Sequence, residues 1–282
     1  MLRYAYNTNG TAHHRLDDAL ALIAEAGYDG VALTLDVHHL DPFAPDLPAR
    51  TRTLGARLRA LGLGLVVETG ARYLLDPRTK HEPTLVTADP AGRARRVDFL
   101  RRCLDVCAEC GGETVSFWAG VPRAGVDRRE AWRWLADGVA QVLALAAARG
   151  VVASLEPEPG MLVETADDFY ELRTLLGEAG AGLRLALDTG HCLVTGDREP
   201  ADAVRACAAD LGTVAVEDMR RGVHEHLPFG EGDMDVPSIL GALTAVGFDR
   251  LVTVELSRDS HRAHEMVPGA LAYLKATEAA AA

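Results

Sequence analysis

The sequence predicts a single (β/α)8 barrel that spans residues 1–282. Short apolar runs with strand character alternate with stretches whose apolar residues recur every three or four positions, as in amphipathic helices. Regular alternation of this kind predicts a parallel sheet, and eight units of about 35 residues predict that the sheet closes on itself. Three of the strands end in a carboxylate, at Glu156, Asp188 and Glu255, which suits parallel strands whose carboxyl ends share one opening.

Four βα units are predicted in the first half of the chain. Their strands are expected at residues 2–6, 31–35, 65–67 and 114–118. Helical stripes with three- and four-residue spacing follow, at residues 16–27, 54–61, 92–110 and 128–149. Glycines end the first two helices, and the proline-rich residues 41–48 form a loop because each proline fixes φ and lacks a backbone donor.

The second half repeats the pattern. Its strands are expected at residues 151–156, 183–188, 211–217 and 251–255. Thr165 with Asp168 three residues later resembles a capping box that opens the fifth helix. The sixth helix follows Pro200, the seventh covers residues 236–246, and the last begins near His264. No linker or low-complexity segment divides the chain, so one domain is predicted.

Two connections are longer than the rest. Loops of more than about 12–15 residues in compact domains are usually functional. Residues 69–90 contain aromatic and charged side chains, and we expect them to form a lid over a substrate. Residues 218–235 carry a His-x-His pair at His224 and His226, and we expect this loop to contribute to a metal site.

Composition and charge narrow the function. The chain has 29 basic and 41 acidic residues and a net charge of −12, which disfavours nucleic acid and anionic membranes as partners. The first ten residues lack the apolar core of a signal peptide, and no apolar run reaches the roughly 20 residues that span a bilayer. Five cysteines do not indicate a disulfide framework. A cytoplasmic protein is therefore expected.

Two other patterns of possible ligands have simpler interpretations. Cys103, Cys107 and Cys110 have the spacing of an iron–sulfur motif, but the same spacing places three thiols on one buried helix face. The pairs His13-His14 and His38-His39 follow strands one and two without an acidic partner, and they are interpreted as residues of the rim.

Several carboxylates at one opening repel one another unless a cation lies among them. The acids expected there include Glu68, Glu156, Glu158, Asp188 and Glu255. An oxygen-rich set with a few imidazoles suits Mn²⁺, Mg²⁺, Co²⁺ or Zn²⁺. The sequence therefore predicts one divalent metal at the carboxyl ends of the strands.

These motifs, taken together, resemble the xylose isomerase-like TIM barrels, which include D-tagatose 3-epimerase-type sugar epimerases, inosose dehydratases and endonuclease IV. The matching pieces are SLEPEPG after strand five, LDTGH after strand six, HEHLPFGEGD after strand seven and VTVELSR at strand eight. The resemblance covers nearly the whole chain in the order of its elements.

The resemblance implies that Glu156, Asp188 and Glu255 are metal ligands. It implies that His191 contacts either the substrate or a second metal. The family usually has a further ligand histidine inside strand seven, but here the strand is TVAVED and has none. The fourth ligand is therefore expected from His224 or His226, and the choice between the two stays open.

The activity that the resemblance implies is the isomerisation or epimerisation of a sugar, keto-sugar or cyclitol by proton transfer through a metal-stabilised enediolate. Glu156 and Glu255 are the expected catalytic bases, because they flank the opening and can reach opposite faces of a substrate. The side chains expected to bind substrate are Glu68, Arg72, His81, Trp118, Glu158, His191 and Arg258.

Three alternatives remain from the sequence. A lyase acting on an inosose or keto-sugar would begin with the same proton abstraction. A phosphodiesterase of the endonuclease IV type would need ligand histidines at strands two and three, where this chain has Leu33-Thr34 and Glu68. A non-catalytic sugar-binding barrel would have to keep its buried acids together at a cost. Whether the chain forms a homo-oligomer is left open.

Overall fold

Eight of the ten strands in the computed structural model, which describes residues 1–281, close into a parallel barrel. The strands are β1 (Arg3–Asn7), β2 (Gly30–Thr34), β3 (Gly64–Glu68), β4 (Thr114–Trp118), β5 (Val152–Glu156), β6 (Leu183–Asp188), β7 (Leu211–Val216), β8 (Asp218–Arg220), β9 (Val223–Leu227) and β10 (Leu251–Val254). Around the barrel the order is β1, β2, β3, β4, β5, β6, β7 and β10. The predicted (β/α)8 fold is confirmed.

The helices lie between the strands in sequence and pack around the barrel. They are α1 (Leu16–Ala26), α2 (Leu47–Leu61), α3 (Pro90–Cys110), α4 (Arg128–Arg149), α5 (Ala166–Leu176), α6 (Thr189–Thr195), α7 (Pro200–Cys207), α8 (Val236–Ala245) and α9 (Ala263–Ala281). The capping box at the start of α5 is present, since the Thr165 and Asp168 side chains each accept from the other's backbone N–H.

The strand interiors are mostly apolar, with a few buried serines and threonines, because each barrel strand is covered by helices on one side and by other strands on the other. Val31, Leu33, Leu155 and Val252 have no exposed surface, as expected for a parallel sheet buried on both faces. Polar and charged side chains appear where the strands end, at Glu68, Glu156 and Asp188. The change from apolar to acidic therefore marks the carboxyl end of the barrel.

Two elements were not predicted. The residues directly after Asp188, for which no helix was predicted, form the short helix α6, which Asp188 caps. The loop expected at residues 218–235 begins with an antiparallel hairpin, β8–β9, in which Asp218 pairs with Leu227. Strand seven also ends one residue earlier than predicted, at Val216. Both additional elements lie at the carboxyl end of the barrel, next to the predicted site.

The cysteines have the packing role expected of them. Cys103 and Cys107 are buried on α3 as free thiols, Cys110 is partly buried, and burial raises the pKa of all three. Among the helices of residues 1–281, none combines the length and apolar character needed to cross a lipid bilayer.

Candidate metal centre

The predicted site residues meet at the carboxyl end of the barrel. They surround a cavity of about 250 Å³, the inner cavity. Its lining includes eleven of the twelve predicted residues: Glu68, Arg72, His81, Trp118, Glu156, Glu158, His191, His224, His226, Glu255 and Arg258. The twelfth, Asp188, is buried next to them, within 4.8 Å of ligand atoms of His226 and Glu255. Parallel strands thus bring together residues that are distant in sequence.

Asp188 has one carboxylate oxygen engaged and one free. Its Oδ1 atom accepts hydrogen bonds from the backbone N–H groups of Gly190 and His191, at 2.8 and 3.1 Å. Its Oδ2 atom is buried without a hydrogen-bond partner, and His191 Nε2 lies 3.4 Å from it. Burial opposes ionisation, but the imidazoles of His191 and His226 lower the pKa of Asp188 below its usual value. An ionised, buried oxygen without a partner fits a bound cation.

Asp188 also belongs to two different groups of potential ligand atoms. In one group its atoms lie within 4.8 Å of those of Glu156 and His191. In the other they lie within the same distance of His226 and Glu255. The side chains of three strand ends and one hairpin therefore converge on Asp188, and they form a mixed oxygen and nitrogen set suited to a divalent metal.

Strand β7 provides no ligand side chain next to Asp188, and His226 lies there instead. Ala215 of β7 pairs with Asp188 of β6 and has no atom that can bind a metal. The hairpin strand β9 instead carries His226 towards Asp188 and Glu255. His224, two residues earlier on the same strand, groups with His191 and His226 but not with the acids of this set.

The buried carboxyl group of Glu217 lies close to the Nδ1 atom of His226. The Oε2 atom of Glu217 lies 3.9 Å from His226 Nδ1, and neither carboxylate oxygen has a hydrogen-bond partner. Burial raises the pKa of Glu217 well above its usual value. Burial alone would lower the pKa of His226, but the nearby Glu255 and Glu217 raise it to about 10. The sequence predicted that strand seven ends at residue 217 but assigned Glu217 no role in the site.

Two asparagines that sequence analysis missed hold Glu255. Asn9 Nδ2 donates to Glu255 Oε1 at 2.8 Å, and Asn7 Nδ2 donates to Oε2 at 3.4 Å. Thr34 Oγ1 in turn donates to Asn7 Oδ1 at 2.9 Å. The signal for both was available, because the polar NTNGT segment begins with the last residue of β1, at the same end of the barrel.

The remaining acids are crowded. Burial, together with the charge of Glu255, raises the pKa of Glu68 to about 8. Burial and the charge of Glu158 raise the pKa of Glu156 well above its usual value, and burial also raises that of Glu158. A cation among these carboxylates would relieve both effects. The residues present therefore fit a divalent metal.

The histidines form a second group of potential ligands. His191 Nδ1 lies 3.0 Å from the carbonyl oxygen of Pro157, which can only accept, so Nδ1 carries the proton and Nε2 is free in the neutral ring. His191 Nε2 lies 3.2 Å from His224 Nε2. Burial, His191 and His226 lower the pKa of His224 to about 4. Together with His226, these rings place three nitrogens within 4.8 Å of one another.

Residues 69–89 connect β3 to α3 and cross the opening. The buried side chain of Arg96 holds them, with Nε donating to the Pro83 carbonyl oxygen at 2.8 Å and Nη2 to that of His81 at 2.6 Å. The Arg96 guanidinium also lies 4.5 Å from the centre of the Trp118 ring. The segment brings Arg72, Lys80 and His81 to the inner cavity, and Lys80 was not predicted.

Arg258 and Trp118 are less available to a ligand than the sequence implied. Arg258 donates to Glu225 Oε1 at 2.6 Å and is 60% exposed, so its charge is already partnered at the rim. Trp118 is only 6% exposed, because Arg96 covers it and the His81 ring centre lies 5.2 Å away.

Fold and site together define a (β/α)8 barrel with a carboxylate and imidazole cluster, suited to a divalent metal, at the carboxyl ends of its strands. The chain belongs to the xylose isomerase-like TIM barrel family, whose sequence model matches residues 20–277. The resemblance drawn from the motifs is therefore confirmed. No curated protein matches the chain significantly in sequence.

Several solved structures share the fold along nearly the whole chain. The apo form of the 3-keto-D-glucoside 4-epimerase YcjR from E. coli has a TM-score of 0.77 and 17% identity, covering 98% of this chain and 100% of its own. D-allulose 3-epimerase from Methylomonas sp., in complex with D-allulose, has a TM-score of 0.75 and 20% identity, covering 98% and 97%. The IOLI protein with a bound zinc atom has a TM-score of 0.73 and 18% identity, covering 98% and 96%.

Proposed function

We propose that this protein is a divalent-metal-dependent isomerase or epimerase of a sugar or keto-sugar. The observation that carries the proposal is the buried, unpartnered Oδ2 atom of Asp188, which lies among His226, Glu255 and Glu156. Two of the three structures described above are sugar epimerases and the third contains zinc, which supports both the substrate class and the metal.

Glu156, Asp188, His226 and Glu255 would hold the metal. When bound, a divalent cation such as Mn²⁺, Mg²⁺, Co²⁺ or Zn²⁺ polarises a substrate carbonyl and stabilises the negative charge that develops on it. Asp188 would bind the cation through its Oδ2 atom, since its Oδ1 atom already accepts hydrogen bonds from two backbone N–H groups. Asn7 and Asn9 orient Glu255.

Glu156 and Glu255 would move the proton. They stand at β5 and directly after β10, which are three strand positions apart around the eight-stranded barrel. This separation lets one carboxylate remove a proton from one face of the substrate while the other returns it on the opposite face. Use of both faces gives epimerisation, and use of one face gives isomerisation.

The other lining residues would bind the hydroxyl groups and exclude water. Arg72, His81 and Lys80 reach the inner cavity from residues 69–89, which act as a lid in this proposal. Glu158 and Glu68 face the same cavity, where their carboxyl groups can accept hydrogen bonds from sugar hydroxyl groups.

The test is solvent deuterium exchange. The protein is incubated with Mn²⁺ and a panel of keto-sugars and inososes in D₂O, and NMR follows deuterium at the carbon next to the carbonyl. We expect exchange with at least one keto-sugar, and its loss in Glu156→Gln or Glu255→Gln. If both variants exchange as fast as the parent protein, the two-base proposal is wrong. An inosose that loses water after exchange would indicate a lyase instead.

A second candidate function follows from the three clustered histidines. His191 and His224 would provide ligands for a second cation beside the one that His226 helps to hold. Two metals at such a site are typical of phosphodiester hydrolysis. Hydrolysis of bis(p-nitrophenyl) phosphate with Zn²⁺, without deuterium exchange on any sugar, would favour this function. The net charge of −12 disfavours nucleic acid as its substrate.

A further inference from the structure

A second cavity, the outer cavity, adjoins the inner one. It has a volume of about 430 Å³, whereas the inner cavity has about 250 Å³. Five residues line both cavities: Asn9, Thr34, Gly70, Arg72 and Ser257. The inner cavity alone is smaller than the roughly 300–1,000 Å³ typical of ligand sites, and the two together fall within that range.

Asn9 links the outer cavity to the reacting centre. Its side chain donates to Glu255 Oε1 at 2.8 Å, and it also lines the outer cavity. A group bound in the outer cavity is therefore only one side chain away from a proposed catalytic carboxylate. This distance suits a substituent of the same substrate molecule.

The walls of the outer cavity are partly apolar. Tyr73 and Val37 line it and are 55% and 57% exposed, which is unusual for large apolar side chains in this chain. A ring bound in the outer cavity would cover both side chains. The flat ring of Tyr73 can stack on a sugar ring or on an aromatic ring.

The outer cavity carries almost no net charge. Its lining contains one acid, Asp36, and one base, Arg72, while its other polar groups are hydroxyls, an amide and imidazoles. His13 and Ser260 are hydrogen-bonded to each other there. Such a lining gives no strong site for a phosphate, but it offers hydrogen bonds to an uncharged group.

We propose that the outer cavity binds a second, uncharged ring that is joined to the reacting sugar by a glycosidic bond. The substrate class would then be a keto-glycoside, with its keto-sugar ring in the inner cavity and its aglycone against Tyr73. The proposal rests on the proposed function for the inner cavity. It assigns a role to Tyr73 and Val37.

The test compares aglycones on one keto-sugar ring. The probes are methyl 3-keto-glucoside, p-nitrophenyl 3-keto-glucoside and a 3-keto-disaccharide, and calorimetry gives each Kd for the Mn²⁺-loaded protein. We expect the two larger glycosides to bind up to about tenfold more tightly than the methyl glycoside, as a stacked ring provides. Preference for the aryl or the glycosyl group distinguishes an aromatic from a sugar aglycone.

Substitutions then show which side chain causes the tighter binding of the larger glycosides. Tyr73→Ala should make the Kd of the methyl glycoside nearly equal to the Kd values of the two larger glycosides. Tyr73→Phe should keep the difference between them. Leu175→Ala is the control, because Leu175 is equally exposed, at 55%, but lies on α5 away from both cavities. Equal Kd values for all three glycosides, or a ratio unaffected by Tyr73→Ala, would overturn the proposal.

Deuterium exchange, measured separately, distinguishes the two proposals. Exchange without any aglycone preference would leave the proposed function intact and remove the outer subsite. An aglycone preference that depends on Tyr73, without exchange on any probe, would support the outer subsite and remove the isomerase or epimerase.

Discussion

Glu217 and His226 form a buried pair, with Oε2 of the acid 3.9 Å from Nδ1 of the imidazole. Both carboxylate oxygens of Glu217 and the Nδ1 atom of His226 are buried without a hydrogen-bond partner, so a proton on Nδ1 would face the carboxylate. The Nε2 atom of the same ring is then left for a cation. Pairs of this kind orient ligand histidines and strengthen their basicity.

The first prediction concerns this pair. Glu217→Gln should weaken Mn²⁺ or Zn²⁺ binding by about 10- to 100-fold, as is typical when such a partner is removed. The same change removes a buried acid, so the metal-free protein should not lose thermal stability. Calorimetric titration and thermal unfolding measure the two effects. Glu231→Gln, on the same loop, is the matched control, and equal affinities for the two variants would contradict the assignment.

The second prediction separates the two histidines of β9. His226→Ala should weaken the main metal site by at least the same 10- to 100-fold, because His226 groups with Asp188 and Glu255. His224→Ala should leave this site nearly unchanged and remove any second equivalent of Zn²⁺. Mass spectrometry of the dialysed proteins gives the number of metal ions that stay bound, and so reports on the main site and on the second one. The reverse result would make His224 the fourth ligand.

The third prediction is a release of protons when the metal binds. The pKa of His226 is raised to about 10, so at pH 7 the ring must lose a proton before it binds a cation. Affinity should therefore rise by at least about tenfold per pH unit between pH 6 and 8. Calorimetry in two buffers of different ionisation enthalpy counts the protons. In His226→Ala the count should fall by about one.

The fourth prediction concerns stability and pH. The pKa of Glu68 is raised from 4.5 to about 8, so its stabilising contribution is complete below pH 4.5 and is lost as pH rises through 8. At pH 8 the metal-free Glu68→Gln variant should therefore have a higher Tm than the parent protein, by about 2–4 °C for each kcal/mol of unfolding free energy that is recovered. At pH 4.5 the two Tm values should be close. Glu109→Gln, exposed on α3, is the control, and a difference independent of pH would contradict the shift.

The fifth prediction concerns the segment that crosses the opening. Arg96→Met should keep the apolar packing but leave the carbonyl groups of His81 and Pro83 without donors, lowering the free energy of unfolding by about 1–3 kcal/mol. Amide hydrogen exchange in residues 69–89 should become faster. Arg95→Met, one residue earlier and exposed, should change stability by less than about 0.5 kcal/mol. Equal exchange in both variants would show that Arg96 does not hold this segment.

Most of the barrel could be predicted from the sequence, because buried parallel strands and amphipathic helices have different periods. The acids at the strand ends were predictable for the same reason, since Glu156 and Asp188 interrupt apolar runs where those runs stop. The helix α6 was missed because its start depends on the Asp188 side chain, which accepts from two backbone N–H groups across a turn.

The choice between His224 and His226 could not be made from the sequence. In a strand, residues two apart share one face, and β9 accordingly directs both histidines to the cavity while Glu225 pairs with Arg258. Which ring reaches Asp188 depends on the register of β8 and β9, set by the pairing of Asp218 with Leu227. No local pattern in a polar hairpin of this length specifies that register.

The double role of Asp188 limits the size of the cation. Because Oδ1 already accepts hydrogen bonds from the backbone of Gly190 and His191, Oδ2 is the oxygen available to a cation, and Asp188 would act as a monodentate ligand. Calcium prefers six to eight oxygen ligands at about 2.3–2.6 Å, often with bidentate carboxylates. A site with one such restriction and an imidazole in its set would discriminate against calcium and favour the smaller ions, so helix capping at α6 would also contribute to the metal selectivity of the proposed site.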